Sequence, residues 1–153
     1  MRVVATSLLA AFAMGLGSCA TGARQSASPP PDATSAIASG GQLAQIYYLR
    51  ARPGKFDEYT RYIREAAEPI DHEAQRRGAF LSVTTYMTRD TLSPWTHMRV
   101  FILRDSAQLR ALSGALDSAG IRLVPDSARR RTRSAYSAGL RDRVGAATVE
   151  LLR

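Results

Sequence analysis

The chain changes from a strand pattern to a helix pattern within Leu49-Arg50-Ala51-Arg52-Pro53-Gly54-Lys55-Phe56-Asp57-Glu58-Tyr59. Residues 42–50, which lead into this stretch, are rich in aliphatic and tyrosine side chains, and such a composition is typical of a β-strand. Pro53-Gly54 ends that strand, because this pair marks a turn. Acidic Asp57 and Glu58 then suit the first turn of a helix, whose dipole is positive there. The stretch therefore predicts a strand, a tight turn and a helix in immediate succession.

The helix that follows is amphipathic. Apolar side chains recur at steps of three and four from Phe56 through Tyr59, Ile63 and Ile70, which places them on one stripe facing the core. Gly78 is expected to end the helix, and the polar run 71–73 around His72 is expected to face water. Pro69 lacks an amide donor, so the sequence predicts a kink or break between Glu68 and Ile70.

The rest of the chain adds three strands and two helices. Strands are predicted at 79–88, 96–103 and 146–152, and helices at 105–120 and 127–143, the last one rich in arginine. The order β-α-β-β-α-(α)-β predicts an α+β, ferredoxin-like fold with a four-stranded antiparallel sheet and helices on one face. We expect the other face to be covered by a second copy of the chain, because an apolar sheet face seeks a partner.

The third predicted strand alternates between two kinds of side chain. Met98, Val100 and Ile102 form a purely apolar set, which we expect to face the helices. The opposite, open face is then expected to carry aromatic and polar side chains from three strands, namely Tyr48, Thr84, Tyr86, His97, Arg99 and Phe101.

The quoted stretch resembles the first strand and helix start of the dimeric α+β barrel superfamily, which includes antibiotic-biosynthesis monooxygenase-like and NIPSNAP-like domains. Residues 100–109 are similar to that superfamily's third strand entering its second helix. The resemblance implies two sheets facing each other across a two-fold axis and a pocket between sheet and helices. Where monooxygenase-type members carry an acidic residue and a Trp on the third strand, this chain has Phe101 and Leu103, so no catalytic set is carried over.

The first 19 residues have the features of an export signal. Arg2 precedes a short apolar run that ends in Leu16-Gly17-Ser18-Cys19, and the run is shorter than the roughly 20 residues a membrane-spanning helix needs. The last four residues resemble the lipobox of bacterial lipoproteins, which implies cleavage after residue 18 and a lipid on Cys19. The alternative is a plain secretory signal with an incidental cysteine. Ala20 after the cysteine favours the outer membrane, facing the periplasm.

The chain is thus expected to have three parts: a lipoprotein signal peptide at 1–18, a lipid-anchored flexible tether at 19–41 and one folded domain at 42–153. The tether contains Pro29-Pro30-Pro31 and Gly40-Gly41 and has no apolar periodicity. Cys19 is the single cysteine, so the domain has no internal disulfide. With 153 residues, the chain is sized for one hydrophobic core.

Charge and composition argue against several function classes. The net charge is +8, from 21 basic and 13 acidic residues, but the arginines are scattered and the one dense run is 129–133. This pattern lacks the continuous basic stripe of nucleic-acid-binding proteins. The two histidines, His72 and His97, lie outside any cluster at metal-ligand spacing, so we expect neither metal nor cofactor. Motifs of nucleophilic catalysis and phosphate binding are also missing.

The candidate ligand-binding residues are therefore those of the open sheet face, Tyr48, Tyr86, Trp95, His97, Arg99 and Phe101. A guanidinium among aromatic rings suits a small anionic or aromatic molecule, and the candidate proton carrier is His97. The same side chains could instead fill a dimer interface. The sequence thus favours an exported, lipid-anchored, non-catalytic binding or interaction module that forms a homodimer. The alternative is a cofactor-free monooxygenase- or isomerase-like enzyme that uses His97 with Tyr48 or Tyr86.

Overall fold

A computed structural model describes residues 41–152 of the chain. The signal peptide, Cys19 and nearly all of the tether lie outside the described residues, so the expectations about them stay predictions. Within residues 41–152, no helix combines the length and the apolar character needed to cross a bilayer.

Four strands and four helices follow in the predicted order. They are β1 (Leu43–Ala51), α1 (Phe56–Tyr62), a π-helical segment (Ile63–Ala67), α2 (Glu68–Arg76), β2 (Ser82–Met87), β3 (His97–Leu103), α3 (Ser106–Leu123), α4 (Ser127–Leu140) and β4 (Arg141–Glu150). The strands form one sheet in the order β2-β3-β1-β4, and every neighbouring pair is antiparallel. This arrangement confirms the predicted ferredoxin-like α+β fold.

The ends of several elements form as their sequences indicate. Gly78, in the left-handed region at φ 78°, follows α2, as expected of a glycine after a helix. The carboxylate of Asp105 accepts the Gln108 amide at 2.9 Å and caps α3, and Asp126 caps α4 by accepting the Ala128 amide at 2.7 Å. α3 runs to Leu123, beyond the predicted end at Gly120.

The predicted helix at 127–143 is too long at its carboxyl end. α4 ends at Leu140, and Arg141 is already extended at φ −153° and ψ 161°. β4 starts there because its first residues pair with β1, Arg141 with Ala51 and Asp142 with Arg50. Strand pairing, a tertiary interaction, overrides the local helical pattern at 141–143.

The two faces of β3 are the reverse of the prediction. His97, Arg99, Phe101 and Leu103 point toward the helices, and Met98, Val100 and Ile102 lie on the opposite face. The prediction placed the purely apolar set in the core. Because side chains alternate along a strand, assigning one residue to the wrong face puts all its neighbours on the wrong face as well. The mixed set is tolerated inside because its polar groups find partners among the helices.

We call the face toward the helices the inward face and the other the outer face. Cross-strand pairing places Tyr48 opposite Met98, and Met98 opposite Tyr86, so both tyrosines lie on the outer face, as predicted. Tyr47, one residue earlier, is opposite Arg99 on the inward face.

The core between sheet and helices forms two clusters. The larger is built on Phe101, Leu103 and Leu112, and the smaller on Tyr59, Ile63 and Leu140. The predicted helical stripe is confirmed at Tyr59 and Ile63, each 2% exposed, whereas Phe56 and Ile70 are half-buried. The candidate site lies between these two clusters.

Candidate functional site

A cavity lies between the inward face of the sheet and the helices. Its volume is about 650 Å³, within the range of small-molecule sites. We call it the inner chamber. The residues that line it come from β1, β3, β4 and all four helices: Tyr47, Leu49, Tyr59, Tyr62, Ile63, Ala67, Ile70, Asp71, Arg99, Phe101, Ser113, Leu116, Asp117, Ser137, Arg141 and Arg143.

A second cavity of about 670 Å³, the outer chamber, adjoins the first between α3 and α4. The two chambers share Tyr62, Ile70, Leu116, Asp117, Ser137 and Arg141. The outer chamber also reaches Arg130 and Arg133 of α4. Together the chambers form one cleft with basic side chains along its length.

One wall of the inner chamber is formed by the π-helical segment. The Glu68 amide donates to the Ile63 carbonyl, five residues back instead of four. Pro69 follows at the start of α2, where its missing N–H costs least. The irregularity predicted from Pro69 therefore exists, but it lies in the turn before the proline, at Ile63–Ala67.

The floor of the chamber contains a buried ion pair. The Arg99 guanidinium donates to the carboxylate of Asp71, whose side chain is 3% exposed. Burial raises the pKa of Asp71, and the neighbouring Arg99 opposes that shift. The expectation that Asp71 faces water is thus wrong, although its neighbour His72 is exposed. Asp71 lies on the buried stripe, four residues after Ala67 and three before Ala74.

Two guanidinium nitrogens in this chamber have no partner. The Nε atoms of Arg99 and Arg141 are buried, and neither donates a hydrogen bond to any described residue. A buried donor without an acceptor costs about 1–3 kcal/mol, so each unpaired N–H is a position where an acceptor would be stabilised. Arg133, which lines the outer chamber, has a third such atom, Nη2.

Aromatic rings complete the lining. Tyr47 meets Phe101 edge to face at 5.8 Å between ring centroids, and Tyr59 stacks on Tyr62 at 6.3 Å. The Arg143 guanidinium lies 4.4 Å from the centre of the Tyr47 ring. Burial raises the pKa of Tyr59, so its hydroxyl stays neutral at pH 7. The chamber therefore combines cationic groups with flat apolar surfaces.

His97 lies outside both chambers, among the side chains of α1. Its ring is 4.8 Å from that of Phe56 and 4.7 Å from that of Tyr59, and its two nitrogens lie 3.0 Å from Thr60 Oγ1 and 2.9 Å from Thr96 Oγ1. Burial lowers the pKa of His97 to about 4. An imidazole that is fully buried and neutral at pH 7 is placed to pack rather than to carry protons.

The six predicted ligand residues are not brought together. Arg99 and Phe101 line the inner chamber. His97 is inward but sealed, Tyr48 and Tyr86 are on the outer face, and Trp95 is in the loop before β3 with its ring 6.4 Å from that of Tyr48. The prediction of a single site on the open face is thus wrong, because three of the six residues, His97, Arg99 and Phe101, lie on the inward face instead.

Four further lining residues were missed by the sequence reasoning: Tyr47, Asp71, Arg141 and Arg143. The signal for Asp71 was its position on the apolar stripe of the helix, where an unpaired carboxylate is not expected. The signal for Tyr47 was the parity it shares with buried Leu49. Arg141 and Arg143 could be found only by knowing that β4 pairs with β1 from Arg141 onward.

Among residues 41–152, no group of three or more His, Cys, Asp and Glu side chains is placed to hold a metal ion.

Comparison with known proteins shows the fold alone. No protein-family model and no curated protein matches the sequence. The structure is similar to that of HapK from Hahella chejuensis, with a TM-score of 0.51 and 13% identity over 72% of this chain and 92% of that one. Comparison with a candidate monooxygenase from Shewanella loihica PV-4 gives a TM-score of 0.44 and 13% sequence identity, over 74% of this chain and 97% of that one. Comparison with a dimeric ferredoxin-like protein of unknown function from Jannaschia sp. CCS1 gives a TM-score of 0.44 and 19% sequence identity, over 74% of this chain and 100% of that one.

Proposed function

We propose that the protein binds a small organic anion with an aromatic body in the inner chamber. The observation that supports this most strongly is the pair of buried, unpaired Nε–H groups on Arg99 and Arg141, two arginines that line a cavity of about 650 Å³. A carboxylate or sulfonate in the cavity would pair with both guanidinium groups and satisfy these donors after a small movement of the side chains, since guanidinium N–H groups match the geometry of such anions.

The charge of the chamber favours the same ligand class. Three arginines line it, Arg99, Arg141 and Arg143, against the two acids Asp71 and Asp117. Asp71 is already engaged by Arg99, so the chamber has an excess of positive charge. In a partly buried site this charge is weakly screened and attracts an anion. The rings of Tyr47 and Tyr62 offer stacking surfaces for the apolar part of the ligand.

Binding without catalysis is the function that these contacts favour. The enzyme alternative required His97 to meet Tyr48 or Tyr86, but His97 is inward and both tyrosines are on the outer face. Two lining groups have a raised pKa: the Asp71 carboxylate, which is held by Arg99, and the Tyr59 hydroxyl, which stays neutral at pH 7. A monooxygenase- or isomerase-like reaction would therefore need a proton acceptor other than the predicted one.

The cellular setting is part of the proposal and rests on sequence. The lipobox-like Leu16-Gly17-Ser18-Cys19 supports an exported protein that is held by a lipid on Cys19, at the outer membrane facing the periplasm. The apolar outer face, with Met98, Val100 and Ile102, supports a homodimer that packs two sheets face to face.

The test uses 1-anilinonaphthalene-8-sulfonate, an aromatic sulfonate that fluoresces when shielded from water. Cys19→Ser in all samples prevents lipid attachment. The parent chain is expected to bind one molecule per chain, and Arg141→Gln is expected to weaken binding about tenfold or more, as for loss of a hydrogen bond to a charged group. N-Phenyl-1-naphthylamine, which lacks the sulfonate, should bind both proteins alike.

Arg104→Gln is the matched control, because Arg104 is exposed at the end of β3, outside both chambers. It should leave binding unchanged. A second variant, Arg99→Gln with Asp71→Asn, removes both members of the ion pair and avoids leaving a buried charge alone. Equal binding of the sulfonate by the parent and the Arg141 variant would overturn the proposal.

A further inference from the structure

The corner where α3 gives way to α4 exposes apolar side chains. Ile121 is 51% exposed and Leu123 44%, and Pro125 in the connector is also exposed. We call residues 121–131 the α3–α4 corner. Ile121 and Leu123 are in the last turn of α3, where Ile121 also lines the outer chamber, and Pro125 follows in the connector, so three exposed apolar residues lie within five positions at this helix end.

The corner also concentrates positive charge. It contains four arginines and one acid, Asp126. The Asp126 carboxylate is turned to the α4 backbone, where it accepts the amides of Ala128 and Arg129. Arg130 is used internally, because its guanidinium donates to the Val124 and Pro125 carbonyls. The three remaining cations, Arg122, Arg129 and Arg131, are exposed and belong to none of the ion pairs found in the described part of the chain.

Helix stability does not explain the positions of Arg129 and Arg131 in α4. Arg129 and Arg131 lie near the amino end of the helix, whose first turn has no acidic residue. The helix dipole is positive at that end, so cations there oppose it and slightly destabilise the helix. Their position is better explained by an anionic partner outside the chain.

We propose that the α3–α4 corner docks the folded domain onto an anionic phospholipid bilayer. Arginines would meet the lipid phosphates, while Leu123 and Pro125 at the tip of the corner would enter the boundary between headgroups and acyl chains, as in interfacial segments of other proteins. A surface for single-stranded nucleic acid would instead pair its cations with aromatic rings for stacking. The nearest tyrosine of α4, Tyr136, is engaged with Glu58 by a hydrogen bond of 2.7 Å.

The experiment measures co-sedimentation of the full chain, carrying Cys19→Ser throughout, with vesicles. One set contains phosphatidylcholine alone and the other contains phosphatidylcholine with about one third phosphatidylglycerol. The parent should bind the anionic vesicles more tightly. Loss of each arginine at a membrane surface weakens binding about fivefold, so the triple variant Arg122→Gln, Arg129→Gln, Arg131→Gln should lose about a hundredfold. Binding to neutral vesicles, including any through the N-terminal apolar run, should be unchanged by the triple variant.

The control triple is Arg64→Gln, Arg76→Gln, Arg104→Gln, which makes the same change in net charge at exposed positions outside the corner. It should retain most of the anionic binding, and Leu123→Ser should reduce binding to anionic vesicles without changing its salt dependence. Equal loss in the two triples would show a net-charge effect and overturn the proposal. The proposal would also be overturned if the parent did not bind the vesicles but bound a single-stranded oligonucleotide through the same three arginines.

Discussion

Three neighbouring inward positions of β3 show what decides the fate of a polar side chain in this core. Both ring nitrogens of His97 have a threonine hydroxyl as hydrogen-bond partner. Arg99 donates to Asp71 through one terminal nitrogen, but its Nε has no partner, and Phe101 needs none. A buried polar group is tolerated in proportion to the partners it finds. The histidine is therefore a packing residue, and the arginine has hydrogen-bonding capacity left for a ligand.

His97 predicts a pH dependence of stability. Its pKa is about 4 in the folded state and about 6.5 in the unfolded chain, so below pH 6.5 the unfolded chain takes up a proton that the folded protein does not. Stability from this residue is present above pH 6.5 and is lost as pH falls toward 4, by about 3 kcal/mol in total.

The measurement is urea unfolding of His97→Gln and His72→Gln between pH 7.5 and 4. His72 is exposed, so its variant should keep the decline of the parent, whereas His97→Gln should be less stable at pH 7 and decline less steeply. Identical slopes in the two variants would mean that His97 is solvated in the folded state.

At the scale of elements, local sequence signals predicted what local physics controls. The end of the first helix at Gly78 and the strand-to-helix change at Pro53-Gly54 were predicted and both form. They depend on a few adjacent residues, as do the caps that Asp105 and Asp126 provide in the structure. The parity of β3 and the start of β4 depend on pairing across the sheet, which no local window contains. Arg141 is a site residue only because β1 draws it into a strand, so this part of the site was out of reach.

Two glycines separate backbone from packing effects in the helices. A Cβ at either Gly78 or Gly114 would meet nothing within 4 Å. Gly78 has φ 78°, where an L side chain costs roughly 1–2 kcal/mol. Gly114 lies inside α3, where alanine gains about 0.5–1 kcal/mol. Thermal unfolding should show Gly78→Ala melting below the parent and Gly114→Ala above it. Shifts of the same sign would contradict these helix boundaries.

For the whole molecule, the two faces of the sheet have separate tasks. The inward face carries the chamber, and the outer face presents Ile46, Val100 and Ile102 in half-buried rows. The sequence predicted a face that needs a partner and a ligand site that needs a cation, both on the same side of the sheet, whereas Arg99 and Phe101 lie on the inward face. Because the chamber is inward, dimerisation through the outer face leaves the ligand site open.

Val100 tests the dimer. Val100→Glu places a charge in the middle of the outer face, so it should convert a dimer into a folded monomer, because a buried carboxylate without a partner is costly. Leu92→Glu is the control, since Leu92 is 91% exposed in the loop between β2 and β3. Light scattering of chains with Cys19→Ser should give a dimer for the parent and the control. A monomeric parent at every accessible concentration would contradict the proposed dimer.

In the proposed complex, the Nε–H groups of Arg99 and Arg141 would hold the anionic end of the ligand. The measurement that tests this is a heteronuclear NMR spectrum of arginine Nε–H groups. The Arg99 signal is assigned by its loss in the double variant Arg99→Gln, Asp71→Asn, and the Arg141 signal by its loss in Arg141→Gln. On addition of 1-anilinonaphthalene-8-sulfonate, both signals should move and their protons should exchange more slowly with water, while exposed Arg104 stays unchanged. Signals of Arg99 and Arg141 that do not move while the probe fluoresces would contradict the account.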